Sequence, residues 1–218
     1  MQHDASPEPT PPVRIGRARF RDLDAVCDLL SLVSPGEPVP RTVPVALSLQ
    51  PGRLTHGDCL CLTARRGDRI VGVLMASPPH WTETHPLRIE LVRSVLYIGG
   101  VAVAPDVRGQ GIASELLRAA EHHSRLAGLR LLVLEHPPGL AGFYTRHGYT
   151  AGQERLLVAL PNGMQVRKMP GHQSAVKPLV PGVGLTEVPG APARVVTGLL
   201  PGCAVPPSAR YRHGRLVL

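Results

Sequence analysis

Apolar residues recur along the chain with two different periods, and the switches between them lay out a series of strands and helices. Val13 to Arg19 is the first strand candidate. Behind Asp22, a side chain suited to capping, Leu23, Val26, Cys27, Leu30 and Val33 share one face at helical spacing. Ser34-Pro35-Gly36 stops that helix. Residues 35 to 57 are punctuated by prolines, with room for one short helix near Val45 to Gln50. Asp58 to Arg66 and Arg69 to Ser77 are β-rich runs separated by Gly67-Asp68, which predicts an antiparallel hairpin.

A polar connection holding His80, Trp81 and His85 leads to a strongly apolar strand, Ser94 to Ala104, interrupted by Gly99-Gly100. A glycine pair inside a strand points to a bulge, or to close approach of a ligand to the backbone. A helix follows from about Gly111 to Ala127, with Ile112, Leu116, Leu117 and Ala120 facing inward. Leu129 to Glu135 reads as a buried strand and Gly139 to His147 as a short helix ending at Gly148. Glu154 to Leu160 with Met164 to Met169 makes a hairpin around Pro161-Asn162-Gly163. The order, β α (α) β β β α β α β β, belongs to the α/β (α+β) class with one mixed sheet.

The two ends differ from this body. Residues 1 to 12 hold four prolines and read as a flexible lead-in. From Pro170 onward, Pro and Gly make up 15 of 49 residues, the composition of a linker or extension. Yet Val195-Val196, Leu199-Leu200 and Leu216-Val217-Leu218 are apolar runs that would dock on the body or on a partner subunit.

Composition narrows the classes. Aromatics are only 3% of 218 residues, so Leu, Val and Ala must fill the core. The formal charge of +8 invites a nucleic-acid reading. Its distribution weakens it: half of that charge lies in the last 49 residues, and only Arg210-Tyr211-Arg212-His213 interleaves bases with an aromatic there. Four cysteines (Cys27, Cys59, Cys61, Cys203) are too few and too irregular for a disulfide framework or a zinc site, so no metal is expected. The first residues carry no basic start and apolar run, and no stretch reaches the roughly 18 to 20 apolar residues of a membrane span. A soluble cytoplasmic protein is the expectation.

The stretch with chemistry runs from Val101 to Leu117. A strand ends, Pro105-Asp106 turns the chain, and Arg108-Gly-Gln-Gly-Ile-Ala113 opens an amphipathic helix. Backbone N–H groups at such a start point outward without partners, and the helix dipole adds positive potential, so a phosphate is the natural occupant. Gly109 and Gly111 would let the anion reach the backbone, although a Gly-x-Gly can also be purely structural. A dinucleotide-binding fingerprint fits poorly, because no Gly-x-Gly-x-x-Gly is present. A Walker loop is excluded by the lack of any Gly-Lys-Ser/Thr.

Arg108-x-x-Gly111-x-Ala113 after this apolar strand resembles motif A of the GNAT superfamily of acyl-CoA-dependent N-acyltransferases. Phe143-Tyr144-Thr-Arg-His-Gly148-Tyr149 resembles the family's Phe-Tyr-x-x-x-Gly-Phe/Tyr segment. The resemblance covers residues 13 to 169, which would form the catalytic domain, and leaves out the extension at 170–218. It implies a mostly antiparallel sheet flanked by helices and splayed between its fourth and fifth strands. It implies acetyl-CoA as co-substrate, its pyrophosphate on the turn formed by Arg108, Gly109, Gln110, Gly111, Ile112, Ala113 and Ser114, and its pantetheine arm beside Val101, Ala102 and Val103. Tyr144 matches the tyrosine that protonates the CoA sulfur.

The reaction implied is direct attack of a primary amine on the thioester. The strand position that sometimes carries the family's base falls at Tyr97, leaving Glu135, His136, His80, His85 or water for that role. The family's Asn before the second motif is replaced by Pro137 and its Ala by Leu140. Residues 34–57 and 78–93 would shape the acceptor wall, and their mixed charge favours no one class of small-molecule or peptide amine. The alternative is a non-catalytic module of this fold that binds an acyl-CoA or a partner. A homodimer is compatible with the apolar-dotted tail; nucleic acid and membrane are disfavoured as partners.

Overall fold

Strand β1 (Val13–Arg17) and helix α1 (Leu23–Leu30) open the described part of the computed structural model, which comprises residues 11–33, 52–161, 163–168, 170–213 and 215–217. The helix expected near Val45 to Gln50, and all of the lead-in but Pro11 and Pro12, lie outside those residues. Next come β2 (Leu60–Arg66), β3 (Arg69–Ser77), α2 (Arg88–Val92), β4 (Val95–Val103), α3 (Ile112–Leu126), β5 (Leu131–His136) and α4 (Ala141–Arg146). The C-terminal part contributes β6 (Thr150–Gln153), β7 (Leu156–Leu160), β8 (Gly163–Arg167) and β9 (Gln173–Pro178). Four short strands finish the chain: β10 (Gly184–Thr186), β11 (Val195–Thr197), β12 (Arg210–Arg212) and β13 (Arg215–Val217).

Seven strands form the main sheet in the order β1-β2-β3-β4-β5-β9-β6. All neighbours are antiparallel except β4 and β5, which run parallel. That parallel pairing extends only from Val95 opposite Leu131 to Ile98 opposite Leu134. Beyond it β4 continues to Val103 and β5 to His136, so the two strands part in the middle of the sheet. The splay is where the resemblance places it. It follows from a bulge: Met75 faces Gly100 and Ala76 faces Ile98, which leaves Gly99 without a counterpart and bends β4 away.

Helices α1, α3 and α4 cover one face. The inward stripe of α3 is Ile112, Leu116, Leu117 and Ala120, as its period predicts, and it packs on β2 to β4 with Leu62, Leu74 and Leu96 in the same core. Gly72 makes the close approach workable, because a Cβ there would lie 2.9 Å from Ile112 Cγ2. In α1 the buried residues are Val26, Leu29 and Leu30, and the helix ends before Val33, which is exposed. Asp22 is no side-chain cap for it. It is buried, accepts the Arg19 N–H at 2.8 Å and pairs with Arg65; burial opposes its ionisation, but these bonds hold its carboxyl below the usual range. Cys59 and Cys61 are buried, and burial pushes their thiols up to about 11 and about 12.

The C-terminal third departs from expectation. The hairpin expected over 154–169 exists as β7 and β8, yet it leaves the main sheet and joins a second one in the order β10-β11-β7-β8. The place beside β5 goes to β9, in the segment whose Pro and Gly content suggested an extension, so the boundary at 169 falls just before an internal strand of the main sheet. Composition misled because six residues suffice for this strand: Ser174, Ala175 and Val176 are buried and Pro178 sits at its end. Val158, Leu160, Val196 and Leu199 pack the second sheet on the main sheet's other face, against Leu131 and Val133. Leu157 and Val195, on its outer face, pack with Val188 and carry Tyr211 and Leu216 of the β12–β13 hairpin. Val195, Val196, Leu199 and Leu200 are thus docked on the body, and Leu216 packs on the second sheet while Val217 is exposed.

Candidate active site

Two cavities flank the gap between β4 and β5. The larger, about 730 Å³, opens on the helix side. Its floor is Val101, Ala102 and Val103 of β4, and its mouth is the turn carrying Arg108, Gly109, Gly111, Ile112, Ala113 and Ser114. Gly109 and Gly111 both have φ +79°, a conformation strained for other residues, and a Cβ on either would project into open space. Gly111 occupies the N-cap of α3 and supplies no side-chain cap. The first backbone bond of the helix start runs from Glu115 N–H to the Gly111 carbonyl at 3.1 Å, which leaves the N–H groups of Ile112, Ala113 and Ser114 ahead of it. Arg108 folds back so that Nε donates to the Val103 carbonyl at 3.1 Å.

This wall is made for an anion. Arg108, Arg146 and His147 line the cavity, and among the described residues no Asp or Glu does. A helix N-terminus, two guanidinium groups and exposed amides together favour a phosphate or pyrophosphate. Gln110 does not line the cavity; its carboxamide oxygen accepts a hydrogen bond from Arg66. The resemblance places the turn's backbone amides, Gln110 among them, on the ligand; the Gln110 side chain itself turns to Arg66 and secures the turn to β2.

The opposite wall comes from α4. Leu140, Phe143, Tyr144 and His147 repeat at i, i+3, i+4 and i+7 and all reach the cavity. That helical spacing was present in the sequence and identifies Leu140 and His147 as cavity residues beside the motif's Phe143 and Tyr144. Tyr144 is only 7% exposed, and burial raises its phenol above the ordinary tyrosine value. No hydrogen bond among the described residues holds its hydroxyl. Its ring is fixed on three sides by His136, Phe143 and Tyr149, with centroids 5.1, 5.1 and 5.9 Å away. His147 Nε2 lies 3.0 Å from Ser114 Oγ; burial, Arg118, Lys177 and Arg146 together hold this imidazole below its usual value, hence neutral at pH 7. Pro137, in place of the family's Asn, also lines this wall.

The second cavity, about 120 Å³, lies on the sheet's other face. Glu135 belongs there, apart from Tyr144. Its Oε2 accepts a hydrogen bond of 3.3 Å from Tyr97, so β5 brings a carboxylate to the tip of the tyrosine that stands where β4 carries the family's acid. Burial and the Glu135 charge raise the Tyr97 phenol strongly. Trp81, Leu156, Arg167 and Ser174 complete the lining with His80. Of the other candidate bases, His136 faces the helix side, with Nδ1 donating to the Pro137 carbonyl at 2.7 Å and Nε2 buried without a partner. His85 accepts the Leu87 N–H at 3.1 Å and lines neither cavity. The lining of this cavity thus draws on β7, β8 and β9 as well as on residues 79–81, which the linear sequence did not suggest.

Comparison with known proteins agrees with this geometry. The family described as acetyltransferase (GNAT) matches residues 24–149, more than half of the chain. No curated protein matches significantly. Among solved structures, yncA from Salmonella typhimurium, determined with its cofactor acetyl-CoA, superposes with a TM-score of 0.54 at 16% identity, over 78% of this chain and 95% of that one. Diaminobutyrate acetyltransferase EctA from Paenibacillus lautus, in complex with L-2,4-diaminobutyric acid and coenzyme A, gives 0.52 at 18%, over 81% and 100%. IAA acetyltransferase from Bacillus cereus gives 0.51 at 19%, over 77% and 100%. At these identities the likeness is one of fold.

Proposed function

Because the chain belongs to the acetyltransferase (GNAT) family, we propose that it transfers the acetyl group of acetyl-CoA to a primary amine, with the two cavities holding the two substrates on opposite faces of the splayed sheet. The observation that carries the reading is the wall of the larger cavity, which among the described residues bears Arg108 and Arg146 and no acid, and which leads to the gap between β4 and β5 and to Tyr144.

Acetyl-CoA supplies an activated acyl thioester. The N–H groups of Ile112, Ala113 and Ser114, together with Arg108 and Arg146, would hold its pyrophosphate. The backbone of Val101 to Val103, released from β5 by the splay, is free to pair with the pantetheine arm as an added strand. Backbone N–H groups near Gly100 to Ala102 would face the thioester oxygen as negative charge develops there. On the other face, Glu135 accepts the proton that an ammonium group must lose before its nitrogen can attack. The amine nitrogen bonds to the thioester carbon, and as that adduct collapses the C–S bond breaks, the nitrogen gives its second proton to water, and Tyr144 gives its proton to the leaving thiolate and regains one from solvent. Burial suits Tyr144 to that task, because a phenol kept protonated at neutral pH is a donor when the thiolate appears.

The test is calorimetric titration of acetyl-CoA into the purified protein at two salt concentrations, followed by thiol release with a panel of primary amines. Micromolar binding that weakens with salt, and thiol release that needs an amine, are the expected results. No binding at millimolar acetyl-CoA would overturn the reading.

A further inference from the structure

The second cavity says what kind of amine it takes, on the reading that acetyl-CoA fills the first. It is small, about 120 Å³, and its lining carries opposite charges, the carboxylate of Glu135 and the guanidinium of Arg167. The two are not paired with each other, and Arg167 reaches the cavity from the exposed end of β8. Neither forms an ion pair among the described residues, and the bond from the Tyr97 hydroxyl is the hydrogen bond made by Glu135 there. Both line the cavity around the Tyr97 hydroxyl, and both charges act on it, Glu135 opposing its ionisation and Arg167 favouring it. Trp81 and Leu156 line the space between with apolar surface, which strengthens any charge pairing made inside.

A pocket of this size with separated, uncompensated charges fits a ligand that brings the complementary pair. We propose that the acceptor is a small amino-acid-like molecule, a primary amine carrying its own carboxylate, with the amine at Glu135 and the carboxylate at Arg167. A planar guanidinium offers a carboxylate two parallel N–H bonds, a geometry a simple alkylamine cannot use. The β7–β8 hairpin gains a role from this: by leaving the main sheet it brings Arg167 over the far face of the gap. Arg167 is thereby a specificity residue, separate from the acetyl-CoA wall.

The proposal is tested with amines differing only in the carboxylate, alanine against ethylamine and lysine against cadaverine, in the thiol-release assay at saturating acetyl-CoA. The carboxylate-bearing member should be preferred in kcat/KM by about tenfold or more. Arg167→Ala should erase that preference, chiefly by raising KM for the amino acid, and Arg167→Lys should restore part of it. Affinity for acetyl-CoA, read by calorimetry on the same variants, should not change, because Arg167 does not reach the larger cavity. Equal or better turnover of the decarboxylated amine, a preference that survives Arg167→Ala, or no turnover of either member while acetyl-CoA still binds would overturn the proposal. Loss of acetyl-CoA binding in the unmodified protein would instead overturn the reading beneath it.

Discussion

The two cavities differ in how they are made. The larger is built almost entirely from two continuous stretches, residues 101–114 and 137–147, and much of its anion wall is backbone. The smaller gathers side chains from six places, between Pro79 and Ser174, and has no comparable run of exposed amides. A site for a common cofactor group can be written as a local motif, because a turn and a helix start already carry the chemistry. A site for one particular acceptor is assembled by tertiary structure, so its residues can change without disturbing the other. The division predicts that changes at one cavity should leave the other's ligand nearly untouched.

The largest break in that symmetry should come from Gly111→Glu. At φ +79° any side chain strains the N-cap of α3, and this one adds a negative charge where the pyrophosphate would sit. Acetyl-CoA affinity should fall by roughly a hundredfold or more, about 3 kcal/mol, while circular dichroism remains native. Binding within a fewfold of the parent would remove the turn from the site. Tyr144→Phe sharpens the comparison from inside the gap. Turnover should drop by about a hundredfold with the Kd for acetyl-CoA within about threefold, since the phenol acts on the leaving thiolate and the ring keeps its packing. With the phenol held protonated beyond the ordinary value near 10, parent activity should not decline from this group until the solution is more alkaline than that. Unchanged turnover in Tyr144→Phe would exclude it as the acid.

The same division explains what the sequence disclosed. Hydrophobic pattern located β1 to β5 and the helices α1, α3 and α4, because the helices bury one face and β5, covered on both, reads as a continuous apolar run. Gly99-Gly100 announced the bulge that opens the sheet. Ten of the residues expected at the cofactor lie on the larger cavity, while the Gln110 side chain turns to Arg66, since spacing along a turn does not say which way a side chain points. The second cavity stayed hidden. Nothing local marks Arg167 or Ser174 as neighbours of Tyr97, since their meeting depends on β7 and β8 leaving the sheet and β9 entering it. A six-residue strand amid prolines and glycines has too short a pattern to outweigh its surroundings.

Lys177 tests whether this late strand merely fills the sheet or also braces the cofactor wall. In the sequence it counted among the charges of a basic tail; in the fold it stands on β9, with Nζ donating to Glu121 of α3 at 2.5 Å and to the His147 carbonyl after α4 at 2.7 Å. Both partners of the ion pair are about one-fifth exposed, so more of its strength survives than on an open surface. Lys177→Met keeps the apolar stem and removes the charge, and should cost about 1–2 kcal/mol in urea unfolding at pH 7. Acetyl-CoA affinity should change by less than about threefold. Burial opposes ionisation of Glu121, but hydrogen bonds from Lys177 and Arg125 outweigh it and hold the carboxyl below its ordinary value. A carboxyl depressed in the folded state stabilises above its unfolded value, near 4.3, and that contribution is lost as pH falls through the folded value. The gap between parent and variant should therefore narrow in acid, below about pH 4. A gap unchanged between pH 7 and pH 3 would mean that Lys177 acts through its stem and the His147 carbonyl alone, and that the ion pair does not tie the late strand to the helix that opens the larger cavity.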